Sequence, residues 1–409
     1  MSNSGKNKSG KRLKIAIVLN RFYPEVGGAE TNLRFQACEL SKNHDVTVFT
    51  PRRRKDTPVK EQMNGFKVIR PKDWLNPFGI FPNMRRDTFI PQIFFHLLFR
   101  KFDVIQVFPA LNKSNILAML AAKLRRRPFI LCSFDLLDYA LIEKQTGKIN
   151  PNCLNSYAPS WIRRFLIRHC SHIFAISERE IAFFRRYNKD VSFSPVPIEP
   201  SEYQVPVDFD VREKYNISPE QMIFLVLGRI SKIKGQDIAV NAFCKISAQI
   251  PNSVMILVGR DDYEPELLST IKDTIAEHKL EQRIFCTGMV ERIEVVGFLQ
   301  QSDIHVVPVR FMNSGAVVVE SWAGGIPVIQ SDSVDPNLIE PERNGYLFQS
   351  ENIAELASAM IQAYGEREKL PEMGKAGRKM VLARFTYAHL IEIYHEMYLK
   401  LTLRTKAKQ

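Results

Sequence analysis

Twice along this chain of 409 residues, apolar runs of strand length alternate with stretches at helical spacing, and a proline-rich segment separates the two series. Two cores of roughly 200 residues each suit such a length. The pattern predicts an α/β protein of two Rossmann-like domains, each a parallel sheet with right-handed crossovers. Domains are expected at 1–200 and 201–386, with a C-terminal helix over 387–409. Pro195, Pro197 and Pro200 put three prolines within six residues, a stiff connector that places the boundary between about 200 and 219.

In the first series, residues 14–20 (KIAIVLN) read as a buried strand, followed by a loop through Gly27 and Gly28 into a helix that runs through Leu40. Paired glycines let the backbone pass close to a ligand, although a tight turn would need them equally. Strands at 45–50 and 66–70 follow, with the basic run Arg52-Arg53-Arg54-Lys55 between them. Residues 85–102 set Ile90, Ile93, Phe94, Leu97, Leu98 and Phe99 at helical spacing between basic ends. Such a segment is either a core-facing helix or one lying in a membrane interface; the core-facing reading accounts for Pro91 and for the apolar spacing without a membrane. Strands at 103–108 and 128–134 flank a helix at 114–125, and Asp135 and Asp138 follow the second strand. Those two carboxylates suit either an acceptor hydroxyl or simple turn chemistry. A helix at 163–169, a strand at 172–177, a helix at 178–187 and a strand at 191–198 complete the series.

The second series alternates strictly: strands at 222–227, 253–258, 283–287, 304–309, 327–330 and 344–348, with helices at 236–249, 265–278, 291–301, 353–364, 371–385 and from 387 to about 401. In such sheets ligands bind at the carboxyl ends of the strands, where Arg229, Gly259, Gly288 and Arg310 fall. No G-x-G-x-x-G occurs, which disfavours a nicotinamide or flavin cofactor.

Composition narrows the class further. Hydrophobic content of 45% and charged content of 25% are those of a soluble globular protein. The six cysteines are scattered, with neither disulfide nor zinc spacing, so a reducing compartment and no structural metal are expected. Residues 1–14 are polar and basic with no apolar stretch of signal or membrane-spanning length after them, which points to a cytoplasmic protein. The net charge of +13 divides into +18 over residues 1–200 and −5 over 201–409. That basic half is either a solvated surface or a face for an anionic membrane, a phosphorylated acceptor or a nucleic acid, and the membrane at the inner face of the cell is the partner carried forward.

Two stretches carry the chemistry. Gly228-Arg229-Ile230-Ser231-Lys232-Ile233-Lys234-Gly235 follows a strand, ends where a helix opens, and sets Arg229 and Lys234 five residues apart. Cations supply charge and helix amides supply directed hydrogen bonds, as a phosphate site at a strand end requires. The second stretch, from Ser314 through Gly315 and Ala316 to Gly324-Gly325, opens a helix with small residues and carries one carboxylate, Glu320, a turn and a half inside.

At these residues the chain resembles the family-four retaining glycosyltransferases of GT-B fold, whose second domain carries a spaced G-R…K-G signature followed by E-x7-E. The resemblance spans residues 14 to about 401. It implies two Rossmann-like domains facing each other across a cleft. The implied enzyme is a metal-independent, retaining hexosyltransferase, without a cofactor, that moves a sugar from a nucleotide-diphosphate sugar to a hydroxyl of a lipid-linked or glycan acceptor. By resemblance Arg229 and Lys234 hold the diphosphate, and Glu320 accepts the ribose hydroxyls of the donor. Gly27, Gly28, Gly228, Gly259, Met312, Ser314, Gly315 and Ala316 fall on the donor side, and Phe134, Asp135 and Asp138 on the acceptor side. Three positions depart from the pattern: Met312 stands where the first glutamate of E-x7-E would be, and the cleft histidines that are usual near Gln106 to Phe108 and at Phe134 are both absent. Either the donor sugar lacks the contact which that glutamate makes, with Asn313, Ser314 or Arg310 as replacement polar groups, or the chain is a catalytically impaired paralogue that binds sugar nucleotides or a membrane surface. A nucleic-acid binder would have no need of Arg229, Lys234 and Glu320 together. A sugar-nucleotide epimerase of the same architecture would need cleft acids or histidines that the chain does not show.

Overall fold

The computed structural model describes residues 12–25, 28–75, 89–108, 113–133, 160–311 and 315–407. The chain forms two compact units, Met1–Ser194 with Leu390–Gln409, and Pro195–His389. Residues 195–200, placed with the first domain from sequence, thus go with the second unit.

In the first unit, eight strands stand in the order β3-β4-β2-β1-β5-β6-β7-β8 among the described residues. They are β1 (Lys14–Val18), β2 (Asp45–Phe49), β3 (Lys60–Met63), β4 (Phe66–Ile69), β5 (Val104–Val107), β6 (Phe129–Cys132), β7 (His172–Ala175) and β8 (Val191–Phe193). All neighbours pair in parallel except β3 and β4, which form an antiparallel edge hairpin. The sequence reading passed over β3 because its residues, KEQM, lack apolar alternation. The legible signal was the turn: Asn64 (φ 42°) and Gly65 (φ 91°) are the Asn-Gly pair that a two-residue hairpin demands.

Helices α1 (Gly28–Asn43), α2 (Pro91–Phe99), α3 (Lys113–Leu124), α4 (Ser160–His169) and α5 (Glu178–Arg185) connect these strands. Pro91 starts α2, where its missing N–H costs nothing. Ile93 and Leu97, one turn apart, are buried, as the core-facing reading required, whereas Phe95 and Phe99 are 56% and 76% exposed with their rings stacked at 6.4 Å. The last helix, α12 (Tyr387–Lys406), places Leu390, Tyr394, Tyr398 and Leu401 on one stripe, buried with Leu13, Ile15 and Ile17 of the first unit.

The second unit carries the order β11-β10-β9-β12-β13-β14, parallel throughout. Its strands are β9 (Met222–Leu227), β10 (Ser253–Val258), β11 (Ile284–Cys286), β12 (Ile304–Val307), β13 (Val328–Ser331) and β14 (Gly345–Phe348). Connecting them are α6 (Gln236–Ile246), α7 (Pro265–Glu277), α8 (Arg292–Gln301), α9 (Ala316–Gly324), α10 (Ile353–Gly365) and α11 (Leu370–Arg384). The order runs outward in both directions from the β9/β12 pair. A crevice therefore opens at the carboxyl ends of those two strands, where consecutive crossovers leave to opposite sides. The stretch Gly228–Gly235 follows β9, and the stretch leading to Glu320 follows β12.

Candidate active site at the switch point of the second sheet

The loop after β9 is fixed by backbone first. Gly228 (φ 140°) and Gly259 (φ 147°) end adjacent strands in a region closed to other residues, and a Cβ on Gly259 would lie 2.3 Å from the Gly228 carbonyl oxygen. Amide donation from Gly228 to Val258 (2.9 Å) and from Gly259 to Gly288 (3.2 Å) ties three strand ends together. Residues Lys232–Lys234 then make one 3-10 turn, and Gly235, left-handed at φ 73°, passes the chain into α6.

One side chain laces this loop. Gln236, fully buried at the start of α6, donates from Nε2 to the carbonyls of Gly228 (3.1 Å) and Arg229 (3.0 Å), while its Oε1 accepts from the Ser231 amide (3.3 Å). An unpartnered buried backbone group is costly, so this amide holds the loop in one conformation. The sequence reading missed it. Its signal was a polar residue at the first inward position of an otherwise apolar helix face.

Arg229 is exposed, with its guanidinium 4.4 Å above the centre of the Tyr263 ring. Lys234 is half-buried; a Cβ on Gly228 would meet its stem at 3.6 Å, which places the two ends of the loop side by side. Both predicted cations thus share one loop at the switch point.

The loop after β12 is joined to it by Arg310. Its guanidinium donates to both carboxylate oxygens of Asp237 (2.9 and 2.8 Å), to Glu351 (2.8 Å) and to the Lys232 carbonyl (2.5 Å). This corrects one expectation: Arg310 braces the two loops and is committed to carboxylates of its own unit, so it does not stand in for the missing glutamate. A second brace lies beneath. His305 of β12 accepts the Leu227 amide at Nε2 (3.1 Å), so its proton sits on Nδ1, donated to Ser321 Oγ (2.6 Å), which in turn donates to the Val317 carbonyl (2.8 Å). Burial, with Lys234 nearby, pushes this imidazole down to about 3 and keeps it neutral. It couples the end of β9 to α9, the helix that carries Glu320.

Gly315 caps α9, and a Cβ there would lie 2.1 Å from Leu338 Cδ1; Ala316 is the first residue of the helix. Glu320 Oε1 accepts the Tyr203 hydroxyl (2.8 Å) and pairs with Arg292 (3.2 Å). Sequence reading identified neither partner, since they lie far from Glu320 along the chain.

The structure therefore gathers Gly228, Arg229, Lys234, Gly259, Gly315, Ala316 and Glu320 on the carboxyl edge of one sheet. Gly28 begins α1 in the first unit, where Arg21 pairs with Glu25 (2.7 Å) and Glu30 (3.3 Å). Gly27, Phe134, Asp135, Asp138, Met312, Asn313 and Ser314 lie outside the described residues. Beside the acceptor candidates, Ser133 donates to the buried Glu180 (2.6 Å), whose other oxygen accepts the Ile176 amide (3.1 Å).

Family comparison decides what this arrangement belongs to. The family described as "Glycosyl transferases group 1" matches residues 208–380, and the "Glycosyl transferase 4-like domain" matches residues 27–197. The chain belongs to the family-four glycosyltransferases of GT-B fold. The alpha-monoglucosyldiacylglycerol synthase of Acholeplasma laidlawii is 22% identical to this glycosyltransferase over 89% of the chain and 91% of its own length. An uncharacterized glycosyltransferase of Methanocaldococcus jannaschii is 20% identical over 96% and 99%. Among solved structures, sucrose-phosphate synthase from Thermosynechococcus elongatus superposes with a TM-score of 0.72 at 20% identity, covering 96% of this chain and all of that one. Anabaena HepE in complex with UDP gives 0.70 at 18% identity, covering 95% of this chain and all of that one. These likenesses place the fold of the glycosyltransferase as GT-B.

Proposed function

We propose that this glycosyltransferase moves a hexose from a nucleotide-diphosphate sugar to a hydroxyl of a lipid-linked or glycan acceptor, with retention and without a metal ion. The observation that carries the reading is the pairing of Arg229 and Lys234 on one braced loop with Glu320 across the same switch point. In the reaction the anomeric C–O bond breaks, its electron pair leaves with the diphosphate, and the acceptor oxygen bonds to the anomeric carbon as its proton passes to the leaving phosphate oxygen. Negative charge grows on the leaving phosphate, so fixed cations beside it lower the barrier most. Arg229 and Lys234 supply that charge in place of a metal, and Glu320 grips the ribose. UDP bound to the HepE homologue supports the nucleotide, and the name of the Acholeplasma relative supports a lipid acceptor. Retention rests on the resemblance of the two signatures.

A transfer screen of purified protein against nucleotide sugars, with lipid extract as acceptor and EDTA present, tests this. Product of retained anomeric configuration, formed equally with and without EDTA, is expected. No transfer and no nucleotide-sugar binding across the panel would favour a non-catalytic binding protein instead.

The acceptor side favours a membrane surface for a specific reason. Phe95 and Phe99 are exposed beside the exposed Arg100 and Lys101, and the first half of the chain carries +18. Aromatic rings with flanking cations suit an anionic lipid interface. Among the described residues no helix is long and apolar enough to cross a membrane. The protein should therefore sediment with anionic vesicles and be released by salt. Equal sedimentation with zwitterionic vesicles, or none with anionic ones, would leave a soluble acceptor as the better reading.

A further inference from the structure

Glu320 is not alone at the place assigned to ribose. Tyr203 closes the short turn Pro200–Tyr203 that enters the second unit, and its carbonyl is pinned to α8 by Gln300 Nε2 (2.8 Å), which also holds the Val205 carbonyl (3.0 Å). Its ring is buried, and burial together with Glu320 drives the phenol pKa well above its ordinary value, so it is an obligate donor at neutral pH. Arg292, the first residue of α8, lies over that ring with 5.1 Å to its centre and donates to the Tyr203 hydroxyl (2.5 Å). The Arg292 side chain is 53% exposed and that of Glu320 27%.

Both donors converge on one carboxylate oxygen, Oε1. Among the described residues Oε2 takes no hydrogen bond. A carboxylate loaded on one oxygen has the other left for an incoming hydroxyl, in a rotamer already selected. A guanidinium carries five N–H donors in a rigid fork, and Arg292 directs NH2 at Tyr203 and Glu320, with Glu202 at 3.9 Å from the same nitrogen. We propose that Tyr203, Arg292 and Glu320 form one ribose-reading site: Oε2 accepts a hydrogen bond from one ribose hydroxyl, Arg292 donates one to the neighbouring hydroxyl oxygen, and Tyr203 holds both groups in register. The proposal rests on the assignment of Glu320 to the donor ribose. It makes Arg292 a specificity residue and Tyr203 a positioning residue, and it predicts that discrimination between ribose and deoxyribose depends on both of them as well as on Glu320.

The test is calorimetric titration of the full chain. The probe is whichever of UDP, GDP or ADP binds most tightly, together with its 2′-deoxy and 3′-deoxy forms, and inorganic pyrophosphate as a probe of the diphosphate loop alone. Wild type should bind at least one deoxy form about tenfold or more weakly than the ribonucleotide, as loss of a hydrogen bond to a charged group implies. Tyr203→Phe and Arg292→Lys should each weaken ribonucleotide binding and narrow that ratio, leaving pyrophosphate affinity unchanged. A purely structural role would lower every affinity together or none, so an unchanged ratio in both variants overturns the proposal. Arg292→Lys keeps the reading decidable should Tyr203→Phe fail to fold. Glu320→Gln separates the two ideas: if it leaves the ribose-to-deoxyribose ratio at the wild-type value, the assignment of Glu320 itself fails, whereas a lost ratio in Glu320→Gln with unchanged ratios in the other two sinks only the role of its partners.

Discussion

Gln236 does for the loop after β9 what no cation in it can do: it satisfies two carbonyls and one amide at once from a fully buried position. Gln236→Leu keeps the volume but strands those groups, at a cost of about 1–3 kcal/mol. The melting temperature should fall by several degrees, and nucleotide affinity should fall with it, because a loosened loop no longer presets Arg229 and Lys234. Scanning calorimetry with and without nucleotide checks this; a variant as stable and as tight-binding as wild type would show that the loop holds itself. The cations and Glu320 were legible in the sequence because strand, glycine and charge follow one another directly. Their supports were not. His305 and Ser321 are partners sixteen residues apart, and Tyr203 and Glu320 are 117 apart, so only folding brings them together. Arg310 was misread for the same reason, since its chemistry is visible in the sequence but its prior commitment to Asp237 is not.

The two left-handed glycines at the ends of α6 and α9 separate two costs that sequence alone merges. Gly235 (φ 73°) has no room, because a Cβ there would lie 1.9 Å from the Pro308 carbonyl oxygen; Gly325 (φ 92°) has nothing within 4 Å. Gly325→Ala should therefore cost only the conformational penalty, about 1–2 kcal/mol. Gly235→Ala adds a clash with backbone, so its loss should be clearly larger and should carry activity with it. Denaturant midpoints of the two variants compare them directly, and equal losses would contradict the close approach. At this scale the fold was largely readable, since buried parallel strands are continuous apolar runs and the helices keep a 3.6-residue period. The one strand overlooked, β3, is a polar edge strand paired on one side only. On α2 the apolar spacing correctly marked Ile93 and Leu97 as core, but it also counted Phe99, which is left in solvent together with Phe95.

For the whole molecule, three buried neutral histidines set a direction for its response to acid. His44 is lowered to about 4 by burial, His395 and Arg12 against Asp45; His172 to about 4 by burial, opposed by Asp190; and His305 to about 3 by burial and Lys234. Each folded value lies below the ordinary 6.5, so between those limits the unfolded chain binds more protons. The stability they contribute is present above about pH 6.5 and lost as pH falls towards 4 and then 3, each site contributing a slope of up to about 1.4 kcal/mol per pH unit. Denaturant unfolding at stepped pH should show a steep loss below 6, softened by His305→Gln; a flat profile from pH 7 to 4 would refute it.

The central claim is that the crevice between β9 and β12 holds the diphosphate of a sugar nucleotide through Arg229 and Lys234. Titration of a nucleoside diphosphate into wild type, Arg229→Ala and Lys234→Ala at matched thermal stability tests it most directly. Each variant should bind about tenfold or more weakly than wild type, from the loss of one charge-assisted contact of roughly 1.5–3 kcal/mol. Affinity equal to wild type in both would place the diphosphate elsewhere and contradict the account.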